Sequence, residues 1–274
     1  MVNEVLDRFV FVFVFGNGLM KLSPVLYLFA GASFAVAASV ANAAVVRIEE
    51  SSFLSGAGLI TFSEFGLDTV NPTYAPADYG GDSASPTVGT GGYFVGQSLS
   101  ADAATDCPGA AATACIVGTP SGPLALDGDA PTTFIAEDGA TPTSPTLSGR
   151  PLFNGPIALL FSEDQYGVGF TAGFFDAAMS TGITAFGRDG TLLGTVLNEG
   201  RGIEFLGLVS EDADIAGVFL DLVGSEPAGF VIDNLRFGNR GDVDPGPSPV
   251  PLPAGFPLML AGLAAIGVAG RKRH

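Results

Sequence analysis

Short apolar runs bounded by turn residues fill the chain between residues 44 and 249. No run longer than ten residues there keeps the apolar repeat and the caps of an amphipathic helix. The pattern therefore predicts many short β-strands. The predicted strands are Gly58–Phe65, Gly92–Gly96, Ile157–Phe161, Gly167–Thr171, Gly182–Phe186, Leu192–Val196, Ile203–Val209, Ile215–Leu222 and Gly229–Phe237.

Asp189 and Gly190 lie between two of these strands and predict a β-hairpin, because glycine accepts the positive φ of a tight turn. Many short strands at close spacing favour an all-β fold, an antiparallel β-sandwich or jelly roll. The closing strand contains Ile232-Asp233-Asn234. The order of the later strands, closed in this way, resembles galactose-binding-type jelly rolls and related carbohydrate-binding modules. This resemblance implies an architecture rather than a particular ligand.

The segment from Thr69 to Thr146 is rich in Gly, Ala, Pro, Ser and Thr, which predicts a set of surface loops. It contains Cys107 and Cys115, the two cysteines of the chain. In an exported protein this pair is expected to form a disulfide that closes a small loop, and two free thiols are the alternative. With no other cysteine, and His274 as the single histidine, the pair does not predict a metal site.

The N-terminal region has the three parts of a secretory signal peptide over residues 20–43. Lys21 gives a basic start, Val25–Val40 is apolar, and Ala41-Asn42-Ala43 provides small residues for cleavage before Ala44. A retained transmembrane helix is the alternative.

Residues 1–19 do not fit this scheme, because they carry two acids and then alternate Phe and Val from Phe9 to Phe15. We interpret them as an extension from a mis-assigned start, with translation beginning at Met20. A genuine long signal region is the alternative.

The C-terminal region, residues 250–274, also has three parts. A short Pro-containing motif is followed by the apolar stretch Gly255–Gly270, which is just long enough to cross a bilayer as a helix. The basic cluster after it is expected on the cytoplasmic side. Residues 241–249 form a Pro-rich linker between residues 44–240, the predicted domain, and this region. The motif is Val250, Pro251, Leu252, Pro253 and Ala254, and the basic cluster is Arg271, Lys272 and Arg273.

This arrangement resembles the PEP-CTERM class of sorting signals, in its VPLPA variant. The resemblance implies processing by an exosortase, a membrane-embedded transpeptidase-like protease, at the surface of a Gram-negative bacterium that makes exopolysaccharide. Leu252 stands where the name-giving motif has Glu. This leaves open which sortase acts and whether the tail is cut or retained, and an ordinary C-terminal anchor is the alternative.

The charge separates the middle of the chain from its ends. The whole chain has a formal net charge of −17, whereas residues 44–249 hold 26 acids, six arginines and no lysine. A domain this acidic would repel the phosphate backbone of a nucleic acid, and nucleic acid is therefore excluded as a partner. Its length of about 200 residues is enough for one well-buried core.

Candidate chemistry is limited to carboxylates and aromatic rings, because a single C-terminal histidine excludes Ser-His-Asp and Cys-His arrangements. Glu64 and Asp233 lie on the first and last predicted strands, which often lie close together in jelly rolls. The two carboxylates would suit Ca²⁺, and two unrelated solvated acids are the alternative. The predicted surface aromatics that could stack on sugars are Tyr74, Tyr79, Tyr93 and Tyr166.

These features predict an exported surface or extracellular-matrix protein without enzymatic activity. It is expected to be sorted by an exosortase-like system, to contact the membrane through its C-terminal helix and to associate with exopolysaccharide. The alternative is a carbohydrate-active enzyme that uses paired carboxylates, since glycosidases need two acids at a suitable separation. With 26 acids in the domain, some such pair is nearly always available.

Overall fold

The computed structural model of the protein describes residues 45–138 and 145–246. The predicted start extension, signal peptide and sorting signal lie outside these ranges. Within them, no helix has both the length and the apolar character needed to cross a bilayer.

β-Strands account for most of the regular structure in the described ranges. The helical segments there are short: α1 at Ala103–Asp106 and 3₁₀ turns at Glu50–Ser52, Pro76–Asp78 and Ala112–Ala114. The strands are β1 Val46–Arg47, β2 Gly58–Ile60, β3 Thr73–Tyr74, β4 Val88–Gly91, β5 Gln97–Leu99, β6 Ile116–Gly118, β7 Thr133–Ala136, β8 Thr146–Gly149, β9 Ala158–Gln165, β10 Gly167–Phe175, β11 Thr181–Phe186, β12 Leu192–Leu197, β13 Gly202–Val209, β14 Ile215–Leu222 and β15 Val231–Gly238.

The strands form an antiparallel β-sandwich, as the sequence predicts. The first sheet has the order β1-β13-β10-β15-β8-β7, and β2 also pairs with β15. The second sheet has the order β12-β11-β14-β9-β4-β3, and β5 and β6 form a separate pair. Buried side chains from both sheets make one main core. Phe161 of β9 and Phe237 of β15 meet in it, with ring centroids 5.4 Å apart.

The second half of the domain follows the predicted strands closely. Each strand predicted from Ile157 onward is present with its ends shifted by a few residues, and β14 matches its prediction residue for residue. The Asp189-Gly190 hairpin is confirmed, since it joins the paired strands β11 and β12. Gly190 has a φ of 84°, and Asp189 Oδ1 accepts a hydrogen bond of 2.9 Å from Thr191 N.

The first half differs from the prediction. The strand expected over Gly58–Phe65 ends at Ile60, because Phe62 takes a positive φ of 58° and turns the chain. The strand expected at Gly92–Gly96 is wrong. The regular strand is β4, immediately before it, and Phe94 and Val95 form only isolated bridges.

The segment Thr69–Thr146 is not simply a set of surface loops. It supplies β3 and β4 to one sheet and β7 to the other, and it ends at Thr146, the first residue of β8; every residue of β7 and β8 is buried. Buried hydroxyls find partners there: Thr90 Oγ1 and Thr133 Oγ1 are 2.8 Å apart, and Thr133 N donates to Asn71 Oδ1. Because these polar groups are satisfied, a sequence of loop-like composition can form buried strands.

A β-bulge interrupts β15. Gly169 of β10 lies opposite Arg236, but Thr171 lies opposite Asp233, so β15 contains one extra residue between the two pairs. Asn234 takes a φ of 50° there, a conformation that asparagine tolerates better than most residues. Because the extra residue resets the alternation of the strand, side chains three positions apart both enter the core. These side chains are Ile232 and Leu235.

The end of the described chain packs onto the domain. Leu54 N donates to Asp242 O and Asp244 N donates to Ser52 O, both at 2.8 Å. Val243 between them is 3% exposed. The first residues of the predicted linker 241–249 therefore belong to the folded domain, which extends to Asp244.

Candidate functional site

The two carboxylates predicted to bind calcium have local structural roles. Glu64 lies beyond the end of β2, and its Oε1 accepts hydrogen bonds from Thr61 N (2.8 Å) and Thr61 Oγ1 (2.9 Å). Its Oε2 is buried and has no hydrogen-bond partner. Asp233 is fully buried in the bulge, where its Oδ1 accepts from Asn234 N at 2.7 Å. The placement of Glu64 on a strand is wrong, and calcium binding by the pair stays a prediction.

Within residues 45–138 and 145–246, no group of three or more His, Cys, Asp or Glu side chains is arranged to hold a metal ion.

Three of the four tyrosines predicted at the surface are buried instead. These are Tyr74, Tyr93 and Tyr166. Burial is the main cause that raises the pKa of Tyr74, and the nearby charge of Glu64 adds to it. Tyr79 is only partly buried and lines a cavity.

The predicted disulfide is confirmed between Cys107 and Cys115, both of which are buried. Its loop is anchored to the connection between β14 and β15. Ala111 N donates to Glu226 O at 3.0 Å, and Glu226 N donates to Gly109 O at 3.1 Å. The disulfide therefore restrains the loop whose backbone is hydrogen-bonded to the backbone of Glu226.

Removal of this disulfide should destabilise the domain. We expect the double variant Cys107→Ser/Cys115→Ser to lose about 2.5 kcal/mol of unfolding free energy, the loop-closure value for so short a loop. Urea denaturation measures the loss. Reductant should shift the wild-type midpoint towards that of the variant and leave the variant unchanged. Equal midpoints for the oxidised wild type and the variant would contradict the expectation.

Glu226 is a fully buried carboxylate that the sequence does not single out. Its carboxylate accepts hydrogen bonds from Asp176 N (3.0 and 3.1 Å) and from Ser180 Oγ (2.7 Å). Burial raises the pKa of Glu226 to about 7, against the opposing effect of these hydrogen bonds, and the charge of Asp176 adds to the rise. Glu226 therefore changes its charge near neutral pH while it holds the loop between β10 and β11.

A cavity of about 400 Å³ lies where β2, the end of β15 and the loop after Tyr79 meet. Its volume falls within the range of about 300–1,000 Å³ that is typical of ligand pockets. Its polar lining comes from segments far apart in the sequence, which the pairing of β2 with β15 brings together. The lining side chains with polar groups are Ser55, Tyr79, Asp82, Ser85, Gln165, Asn239 and Asp242.

The ring of Tyr79 is fixed in place at this cavity. Its hydroxyl donates to the Pro86 carbonyl, and its edge contacts the ring of Phe237 at a centroid distance of 5.3 Å. A Cβ at Gly81 would come within 2.7 Å of the ring, so glycine lets the backbone lie against it. Burial raises the pKa of Tyr79 to about 12, so its phenol stays neutral at physiological pH.

Hydrogen-bond acceptors are the main polar groups of the cavity. Gln165 is 1% exposed; its Nε2 donates to Glu163 O at 2.8 Å, and its Oε1 accepts no hydrogen bond from the described residues. Asp82 Oδ1 accepts from Ala84 N at 2.8 Å, and this bond lowers the pKa of the Asp82 carboxyl. Neither lysine nor arginine is among the residues that line the cavity in the described ranges.

No protein-family model matches this chain, and no curated protein sequence matches it. The cavity offers an aromatic ring, two carboxylates, two amide side chains and two serine hydroxyls to a ligand. Such a set can accept hydrogen bonds from several hydroxyl groups at once while the ring contacts an apolar face.

Proposed function

We propose that the protein is an exported surface or extracellular-matrix protein that associates with exopolysaccharide. The disulfide Cys107–Cys115 is the observation that carries the proposal, because disulfides form and persist in oxidising compartments outside the cytoplasm. It lies in a β-sandwich whose sequence is flanked by a signal-peptide pattern and a tail that resembles a sorting signal. The proposed role is binding or structural rather than enzymatic.

In this proposal the sandwich is a jelly roll of the galactose-binding-like type, and the tail directs the mature domain to the cell surface. Residues 250–254 are the motif read by an exosortase-like enzyme. The apolar stretch Gly255–Gly270 then crosses the membrane, and the basic residues 271–273 stay on the cytoplasmic side.

Fractionation of an exopolysaccharide-producing Gram-negative host, followed by intact-mass analysis, tests this proposal. The wild type should lack residues 1–43 and appear in the surface or matrix fraction. The variant Pro251→Ala/Pro253→Ala should instead accumulate in the inner membrane. The matched variant Pro247→Ala/Pro249→Ala, which removes two prolines of the linker, should behave as wild type.

Two results would overturn the proposal. One is a cytoplasmic wild-type protein that keeps residues 20–43, and the other is normal sorting of the motif variant. Release of reducing ends from the native exopolysaccharide by the purified protein would replace the binding role with the alternative, a carbohydrate-active enzyme.

A further inference from the structure

We propose that the cavity beside Tyr79 binds one sugar unit of a polysaccharide and selects units that carry no acidic group. This assignment rests on the proposed association with exopolysaccharide and names the part of the surface responsible for it. It is carried by a fixed aromatic ring, an amide oxygen that accepts no hydrogen bond from the described residues, and two carboxylates, all on residues that line one cavity.

The aromatic part of the argument concerns Tyr79. A sugar ring has an apolar face of C–H groups, which packs on an aromatic ring, and hydroxyls at its rim that need partners. Tyr79 is held by Pro86 and Phe237 before any ligand arrives, so binding does not have to order the side chain. Tyr74, Tyr93 and Tyr166 are buried and cannot offer the same contact.

The buried amide of Gln165 gives the second, independent observation. Its side chain is almost fully enclosed, yet its Oε1 lacks a donor among the described residues. This oxygen can therefore accept a hydrogen bond from a ligand hydroxyl in the cavity. Asn239 is exposed at the rim and adds an amide that can both donate and accept.

The charge of the cavity determines which sugars fit. Asp82 and Asp242 line it, and its lining includes no lysine or arginine in the described ranges. Three of the six arginines of the domain are already paired with acids. These are Arg47, Arg188 and Arg236. A carboxylated or sulfated sugar would therefore meet like charge from the residues that line the cavity, whereas hydroxyl and amino groups would donate to the carboxylates.

Calorimetric titration of the full chain tests the assignment. The chain is kept in a zwitterionic detergent, because that detergent has no sugar head group to compete. The probes are cellohexaose and maltohexaose (neutral), a chitosan hexamer (amino-bearing) and an oligogalacturonate hexamer (acidic). At least one neutral probe should bind, the chitosan hexamer should bind most tightly, and the oligogalacturonate should bind at least ten-fold more weakly than the neutral probe.

Variants then locate the binding. Tyr79→Ala should weaken neutral-probe binding at least ten-fold through loss of the ring. Asn239→Ala, at an exposed position that leaves the fold intact, should weaken it about five-fold through loss of one hydrogen bond. Asp82→Asn should reduce the preference for chitosan over oligogalacturonate. The matched control Phe174→Ala removes a ring that is 58% exposed and does not line this cavity, and it should bind as wild type.

Three results would overturn the assignment. They are no binding of either neutral probe, equal or tighter binding of oligogalacturonate, and neutral-probe binding that Asn239→Ala and Tyr79→Ala leave unchanged. Glycan binding that persists in the cavity variants would be consistent with the proposed association with exopolysaccharide but would contradict the assignment of binding to this cavity. Cytoplasmic localisation would instead remove the proposed function, so the two failures are distinguishable.

Discussion

The variant Phe237→Ala should lose about 3–5 kcal/mol of unfolding free energy, the usual cost of truncating a buried phenylalanine. Phe237 belongs to β15 of the first sheet and contacts Phe161 of the second sheet, so it joins the two halves of the sandwich. A Cβ at Gly58 would collide with its ring, so glycine allows β2 to pack directly on Phe237. Alanine would leave a space that neither strand can close.

Urea denaturation of the wild type and the variant measures this loss. Leu192→Ala is the matched control, because Leu192 is 51% exposed on β12, and its truncation should change stability by no more than about 0.5 kcal/mol. Phe237 also fixes Tyr79, so the variant should bind the neutral sugar probe more weakly. A loss below about 1 kcal/mol for Phe237→Ala would contradict the role given to this ring.

The stability of the domain should fall as pH rises from 4.5 to 7, because of Glu226. Burial raises the pKa of this carboxyl from 4.5 to about 7, so the folded chain binds the proton more tightly than the unfolded chain. Folding therefore takes up a proton in this range, and the associated stability is complete below pH 4.5 and lost above pH 7. At about 1.4 kcal/mol for each pKa unit, the full change is about 3 kcal/mol.

Unfolding free energies should be measured from about pH 5.5 to pH 8, because this range avoids the pI of about 4.1. About 2 kcal/mol of the change should lie in this range. Glu226→Gln should flatten the slope. The exposed variant Asp212→Asn should keep the wild-type slope. A wild-type stability that rises with pH over this range would contradict the assignment to Glu226.

The sequence predicts the second half of the sandwich well because its strands are rich in large apolar residues and the Asp189-Gly190 turn fixes a hairpin. The sequence does not predict β7 and β8, because threonines such as Thr133 and Thr146 are as common in loops as in strands. They become interior residues only when partners elsewhere satisfy their hydroxyls and backbone groups.

The disulfide was predictable from two cysteines in a chain with a signal-peptide pattern, whereas the cavity was not. The cavity residues come from four separate segments. The expected closeness of the first and last strands is confirmed by the pairing of β2 with β15, but it does not show that residues 79–86 and Gln165 also reach this place. The burial of three tyrosines was missed for the same reason, since burial depends on what packs against a side chain. The sequence does not indicate that Glu226 is buried, because the residues around it have the composition of an ordinary loop.

The positions of β14 and β15 have a consequence for the biogenesis of the protein. These last two strands of the described domain occupy inner places in the two sheets: β14 lies between β11 and β9, and β15 lies between β10 and β8. Neither sheet is complete until almost the whole domain has been synthesised. Earlier pairs such as β10 with β13 and β11 with β12 can form before that, but the edges of β9 and β8 that β14 and β15 later cover stay exposed late into folding, which favours aggregation.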